Sequence, residues 1–203
     1  MIVIVDLGLG NMGSVRNMFK RVGVEARSTL DQEEIARASK LVLPGVGAFD
    51  SGMARLNQTG LVDLLTRRVV HERVPVIGIC LGMQLLTDGS EEGTLPGLGW
   101  VPGFTRRFRL EGTSLKVPHM GWNRADATRE DSLFKGADAD ARYYFVHSYH
   151  VDCANDADVL AWTEHGVRFA SALQRANVYG TQFHPEKSHR FGMNVLRNFA
   201  DLA

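Results

Sequence analysis

The stretch VPVIGICLGMQLL, residues 74–86, constrains the fold more than any other part of the chain. An apolar, β-rich run meets Gly-Ile-Cys-Leu-Gly and continues into residues suited to a helix. That order predicts a sharp strand-to-helix turn at the carboxyl edge of a sheet, with Cys80 strained at its apex. Gly78 and Gly82 sit two positions before and after the cysteine, where the backbones must pass closely. The sulfur then lies at a helix N-terminus, whose partial positive charge favours thiolate, and the Leu81 N–H points where an oxyanion would form. Cysteine is also among the most often buried residue types, so packing alone can produce this pattern.

The rest of the chain supplies the sheet. Apolar strands at residues 2–5, 24–27, 41–43 and 74–79 alternate with helical sequence at 15–22 and 50–72, which predicts βαβ units, parallel strands and an α/β fold. After Gly97 the segments shorten: residues 99–110, 115–120, 142–151, 159–163, 169–175 and 178–183 read as an antiparallel extension and returning strands. A last helix over 188–202 places Phe191, Val195, Phe199 and Leu202 on one stripe. One domain over residues 1–203 is expected, since the chain has the length and the 44% hydrophobic content for a single well-buried unit.

Charge and composition exclude several classes of function. Lys plus Arg and Asp plus Glu number 23 each, so there is no net field to gather nucleic acid or anionic lipid. No basic leader precedes an apolar core, and no apolar run approaches the roughly 20 residues that span a bilayer, so a cytoplasmic protein is expected. Two cysteines, Cys80 and Cys153, make no disulfide framework. Cys153 has no glycine elbow and no neighbouring base, and reads as a packing or surface thiol.

A second segment gives Cys80 its chemistry. In YGTQFHPEKS, residues 179–188, a strand ends in His184, Pro185 and Glu186. Residues two apart on an extended chain face the same way, and the proline favours extension, so Glu186 can orient the imidazole of His184. A lone His or Glu is usually structural or solvated. Joined to an elbow cysteine they form nucleophile, base and orienter, the set for acyl transfer through a thioester. A further oxyanion donor is expected from LPGVGAFDSG, residues 43–52, whose glycines can turn an N–H inward, although the same residues suit an ordinary loop.

The segment DLGLGNMG, residues 6–13, has the glycine spacing of a dinucleotide-binding loop. That reading needs an acidic residue ending the second strand about 20 residues on. Glu25 comes too early and Asp31 reads as a helix cap. No cofactor and no metal are expected.

With Cys80, His184-Pro185-Glu186 and PGVGAF in view, the chain resembles the class I, triad-type glutamine amidotransferases over essentially its whole length. Within them PGVGAFD, GICLGMQLL, PHMGWN, YFVHSYH and QFHPEKS resemble the glutaminase subunits of imidazole glycerol phosphate synthase. The resemblance implies a flavodoxin-like, mostly parallel central sheet flanked by helices. It implies glutamine as substrate, with Gln84 and Glu92 at the amino-acid end and Glu92 facing the α-ammonium. Gly47, with the backbone at Ser148 and Tyr149, would complete the pocket, and the backbone near Gly45 and Val46 would supply the second oxyanion donor beside Leu81.

The partner it implies is a (β/α)8-barrel cyclase, forming a heterodimer in histidine biosynthesis. Because this chain stops after its last helix, a separate subunit is expected. Ammonia would pass to it, for conversion of a phosphoribosyl-formimino aminoimidazole carboxamide ribotide into imidazole glycerol phosphate and an aminoimidazole carboxamide ribotide. The glycine-rich segment then reads as a docking loop with Asn11 at the interface, although Leu7 stands where that family carries tyrosine. Met120, Trp122, Tyr144 and Lys187 are further interface candidates, with core packing an equal reading for Trp122 and Tyr144. The flexible Gly45-Val46-Gly47 strand suggests hydrolysis held back until the cyclase binds its nucleotide. Three rivals remain: a thioester enzyme of another pathway or a Cys peptidase, a non-catalytic regulatory subunit, and a dinucleotide-binding module. A scaffold has no physical need for Cys80, His184 and Glu186 together.

Overall fold

The first strand, β1 (Ile2–Val5), shows how the layers form in a computed structural model that describes residues 1–129 and 132–202. Ile2 and Ile4 join one buried apolar cluster and Val3 and Val5 another, because a strand sends successive side chains to opposite faces. Helix α1 (Met12–Arg21) starts three residues earlier than its hydrophobic pattern predicts, since Asn11 caps it by accepting the Ser14 N–H at 2.9 Å. Strand β2 (Ala26–Thr29) follows, and Asp31 caps the short α2 (Gln32–Ala36), as the sequence predicts.

Strand β3 (Lys40–Gly45) leads to α3 (Phe49–Thr59) and α4 (Val62–Thr66), the latter running into a π-helical turn, Arg67–His71. The single helix expected over 50–72 is therefore broken. Gly60 adopts the left-handed conformation that ends α3, which the uninterrupted apolar spacing masks. Strand β4 (Val76–Cys80) turns directly into α5 (Leu81–Leu85).

The second half carries β5 (Gly89–Ser90), β6 (Gly103–Arg107), β7 (His119–Asn123), β8 (Asp126–Ala127), β9 (Tyr143–His147), β10 (Tyr149–Cys153), β11 (Val159–His165), β12 (Val167–Arg175) and β13 (Val178–Thr181). A 3-10 turn, Pro185–Lys187, precedes α6 (His189–Asp201). Two expectations are corrected here. The strand expected over 115–120 begins only at His119, because Pro118 has no N–H to give a ladder. The strand expected over 142–151 is two, since β9 pairs with β7 and β10 pairs with β6 and β12, the chain changing sheets at Ser148.

The main sheet runs β2-β1-β3-β4-β13-β12-β10-β6-β5, with β11 on β12 and β8 on β11. Strands β2, β1, β3, β4 and β13 are parallel, and β12 turns the sheet antiparallel. Helices α1 and α6 cover one face, with Val195, Leu196 and Phe199 against Ile4 and Ile79. Helices α3 and α5 cover the other. Register then places the site: Gly45 of β3 lies opposite Cys80 of β4, and Thr181 of β13 opposite Ile79. The carboxyl ends of three neighbouring strands meet at one edge.

Candidate active site

Cys80 sits at φ 54° and ψ −109°, a conformation that L side chains rarely adopt, at the junction of β4 and α5. The flanking glycines are forced by close approach. A Cβ on Gly82 would lie 1.7 Å from the Leu43 carbonyl oxygen, and one on Gly78 would lie 2.5 Å from the Gly82 oxygen. Helix α5 has only five residues, so it offers the sulfur its free first-turn N–H groups, beginning with Leu81, more than a long dipole.

His184 leaves β13 in extended conformation and is only 1% exposed. Its N–H donates to the Tyr144 carbonyl at 2.9 Å, and its own carbonyl accepts the Ser188 hydroxyl at 2.6 Å. Nδ1 lies 2.7 Å from Glu186 Oε1. The pairing expected of an extended His-Pro-Glu chain is thus made within a 3-10 turn, which brings Glu186 back beneath the ring. Burial lowers the basicity of this ring, but the Cys80 sulfur and then the Glu186 carboxylate outweigh it and raise the pKa to about 9. Nε2 is buried, and among the described residues no side chain closes a hydrogen bond to it.

Beside Cys80 opens a cleft of about 340 Å3. Val46, Gly47, Cys80, Leu81, Gln84, Glu92, Ser148 and Tyr149 line it, so every residue expected to bind glutamine meets the cysteine in one space. Larger cavities of about 440 and 610 Å3 lie elsewhere and contain none of them. Glu92 is held in place by the Phe49 N–H, which donates to Oε2 at 2.8 Å from the start of α3. The Gln84 amide donates to the Tyr149 carbonyl at 3.2 Å.

One expected donor is turned away. The Val46 N–H donates to the Leu9 carbonyl at 2.9 Å, so it points into the glycine-rich loop after β1 and not toward Cys80. Gly47 beside it holds φ 109°, where glycine alone is unstrained.

Of the expected docking residues, Met120 is 63% and Trp122 44% exposed, which removes the core-packing reading for Trp122. Trp122 lies opposite Tyr144 in the β7–β9 register and stacks flat on His189 at 5.3 Å. Lys187 Nζ lies 5.8 Å over the half-buried Tyr144 ring. Asn11 is exposed, with its side chain committed to capping α1.

A profile of the glutamine amidotransferase class-I family matches residues 3–202. Over 203 residues the chain is 49% identical to imidazole glycerol phosphate synthase subunit HisH 2 of Methanococcus maripaludis. Over 206 residues it is 50% identical to subunit HisH of Bdellovibrio bacteriovorus. Both matches cover 100% of each chain. The chain belongs to the HisH family of class-I glutamine amidotransferases. A crystal structure of a glutamine amidotransferase, 19% identical, shares the fold with a TM-score of 0.76 over 98% of this chain and 97% of that one.

In this HisH-family chain several residues around the cleft escape a reading of the sequence. Gln182 is fully buried, accepts from Gln84 at 3.1 Å and sends its Nε2 to within 3.7 Å of the Cys80 sulfur. His119 and His147 are buried 3.1 Å apart among Phe108, Phe145 and Phe169. Burial, then His165, lowers the pKa of His119 to about 4, and burial pushes His147 well below its ordinary value. All three lie inside family motifs, but a single sequence gives no sign that strands so far apart meet. Burial, then the Asp158 charge, pushes the Cys153 thiol up to about 12, which leaves it unreactive. Among the described residues no helix is long and apolar enough to cross a membrane.

Proposed function

We propose that this chain hydrolyses glutamine to glutamate and ammonia in the cytoplasm, and that a separate cyclase subunit of imidazole glycerol phosphate synthase uses the ammonia in histidine biosynthesis. The reading is supported by Cys80 acting on His184, which holds Glu186 at 2.7 Å, and by Cys80 lining the same cleft as Glu92.

Each step has a group at hand. His184 takes the Cys80 proton, and the sulfur attacks the side-chain amide carbon of glutamine. The oxyanion that forms is met by the Leu81 N–H, and collapse of the intermediate expels ammonia with the proton returned by His184. Water, deprotonated by His184, then hydrolyses the thioester. Glu186 holds the ring and stabilises its charged form. Glu92 would face the α-ammonium, with Gln84, Gly47 and the backbone at Ser148 and Tyr149 holding the rest of the substrate.

The Val46–Leu9 hydrogen bond supports a gated enzyme. With that N–H turned away the Val46 donor is withheld, a loss worth about 3–4 kcal/mol, or on the order of 10²–10³ in rate. A cyclase docked on the loop of Leu9, Gly10 and Asn11 and on the exposed Met120–Trp122 face would sit against the latch. The test is a chloroketone shaped like glutamine. It should label Cys80, with glutamine protecting, and labelling of Cys153 or of neither cysteine would contradict the reading.

A further inference from the structure

We infer that Gln182 is a further catalytic residue, whose side-chain N–H donates to the Cys80 sulfur and stabilises the thiolate, its amide orientation being set by the Tyr149 carbonyl. The inference rests on Cys80 being the nucleophile. It follows from one fact of chemistry: a main-chain carbonyl only accepts hydrogen bonds.

The Tyr149 carbonyl lies 3.2 Å from one end of the Gln84 amide, so that end must be the NH2. The same NH2 faces the Gln182 amide at 3.1 Å, so the facing atom of Gln182 must be its oxygen. The other end of Gln182 is therefore its NH2, and this lies 3.7 Å from the Cys80 sulfur, within reach of an N–H to sulfur bond. No other orientation of the two amides leaves each contact with a donor and an acceptor.

The carbonyl is itself fixed from the far side. His147 Nδ1 lies 2.8 Å from it and must donate, which leaves Nε2 of that neutral ring as an acceptor. His119 Nδ1, 3.1 Å away, must then donate, and its Nε2 must accept. Asn123 supplies that donor at 3.2 Å, and its NH2 is identified independently because it also meets the Glu164 carbonyl at 2.9 Å. Two carbonyls at opposite ends thus dictate the same polarity. His119, His147 and Gln84 act through Gln182 as positioning residues. When the thiol ionises, its proton goes to His184 and the electron pair stays on sulfur, facing a donor that is already in place.

The titratable groups facing the sulfur are His184, with Glu186 behind it, and across the cleft Glu92, His147 and Tyr149. None is altered by changing Gln182. The test is the pH dependence of Cys80 alkylation by iodoacetamide in a Cys153→Ala background, with folding followed by circular dichroism. Gln182→Met removes the donor and should raise the alkylation midpoint by about one pH unit, about tenfold less thiolate at a given pH below it. Gln182→Glu, which puts a carboxylate at the sulfur, should raise it further.

A folded Gln182→Met protein with an unmoved midpoint overturns the inference. Should that variant not fold, Gln84→Met frees the Gln182 amide to turn, and a raised or an unmoved midpoint there decides in the same sense. Glutamine hydrolysis surviving Cys80→Ala is a different failure, that of the nucleophile itself.

Discussion

Acid should destabilise this protein at a pH where most carboxylates are still ionised, and His119 shows why. Its side chain is buried, stacked 4.2 Å from His165 and 4.7 Å from Phe145. In the folded chain its pKa falls from 6.5 to about 4. Between those values the unfolded chain binds a proton that the folded chain refuses, so stability is complete above about pH 6.5 and is lost as pH falls toward 4. Two and a half units at about 1.4 kcal/mol each give about 3 kcal/mol at pH 4, and about 2 kcal/mol by pH 5. Burial lowers His147 and His150 with the same sign. Against a typical total of about 5–15 kcal/mol this is large. Urea unfolding followed by tryptophan fluorescence at about pH 7.5, 6 and 5 measures it. His119→Gln removes one titration and should flatten the profile by about 2 kcal/mol between pH 7.5 and 5, with carboxylate effects common to both proteins. Equal pH dependence in the two would mean that His119 does not set the acid sensitivity.

At the alkaline end His184 acts in the opposite sense: its raised pKa stabilises the fold fully below about pH 6.5, and that contribution is lost as pH rises through about 9. Glu186→Gln should lower kcat by about 10²–10⁴ with little change in KM, read from glutamate release by the complex. Gly82→Ala must push against the Leu43 carbonyl and should cost at least about 3 kcal/mol in denaturant unfolding, or yield no folded protein. Trp122→Ala, at an exposed site, should change stability by under about 0.5 kcal/mol yet weaken cyclase binding by about 2 kcal/mol, roughly 30-fold by calorimetry.

What the sequence makes legible is what short segments decide by themselves. The strand, elbow and helix around Cys80 follow from one run of residues, because the two glycines have no other steric reason to flank it. The sequence predicts the contact of His184 with Glu186 but through a different local geometry, since the proline opens a 3-10 turn instead of extending the chain. Pairings across the sheet are less legible. Ser148 switches the chain between two sheets with no glycine or proline to mark it, and Gln182 gains its meaning only when β13 lies beside β4. The Val46–Leu9 bond is hidden for the same reason: two loops 37 residues apart meet because β1 and β3 are neighbours.

A Cys80 glutaminase held back by a turned-away oxyanion donor should be nearly silent without its partner. The direct measurement is glutamate release by the purified chain alone, with the cyclase, and with the cyclase and its nucleotide ligand, with Cys80→Ala in parallel. Little release is expected from the chain alone, with a rise of about 10²–10³ in the full mixture and none from Cys80→Ala. Full activity without a partner, or activity that survives Cys80→Ala, would contradict that expectation.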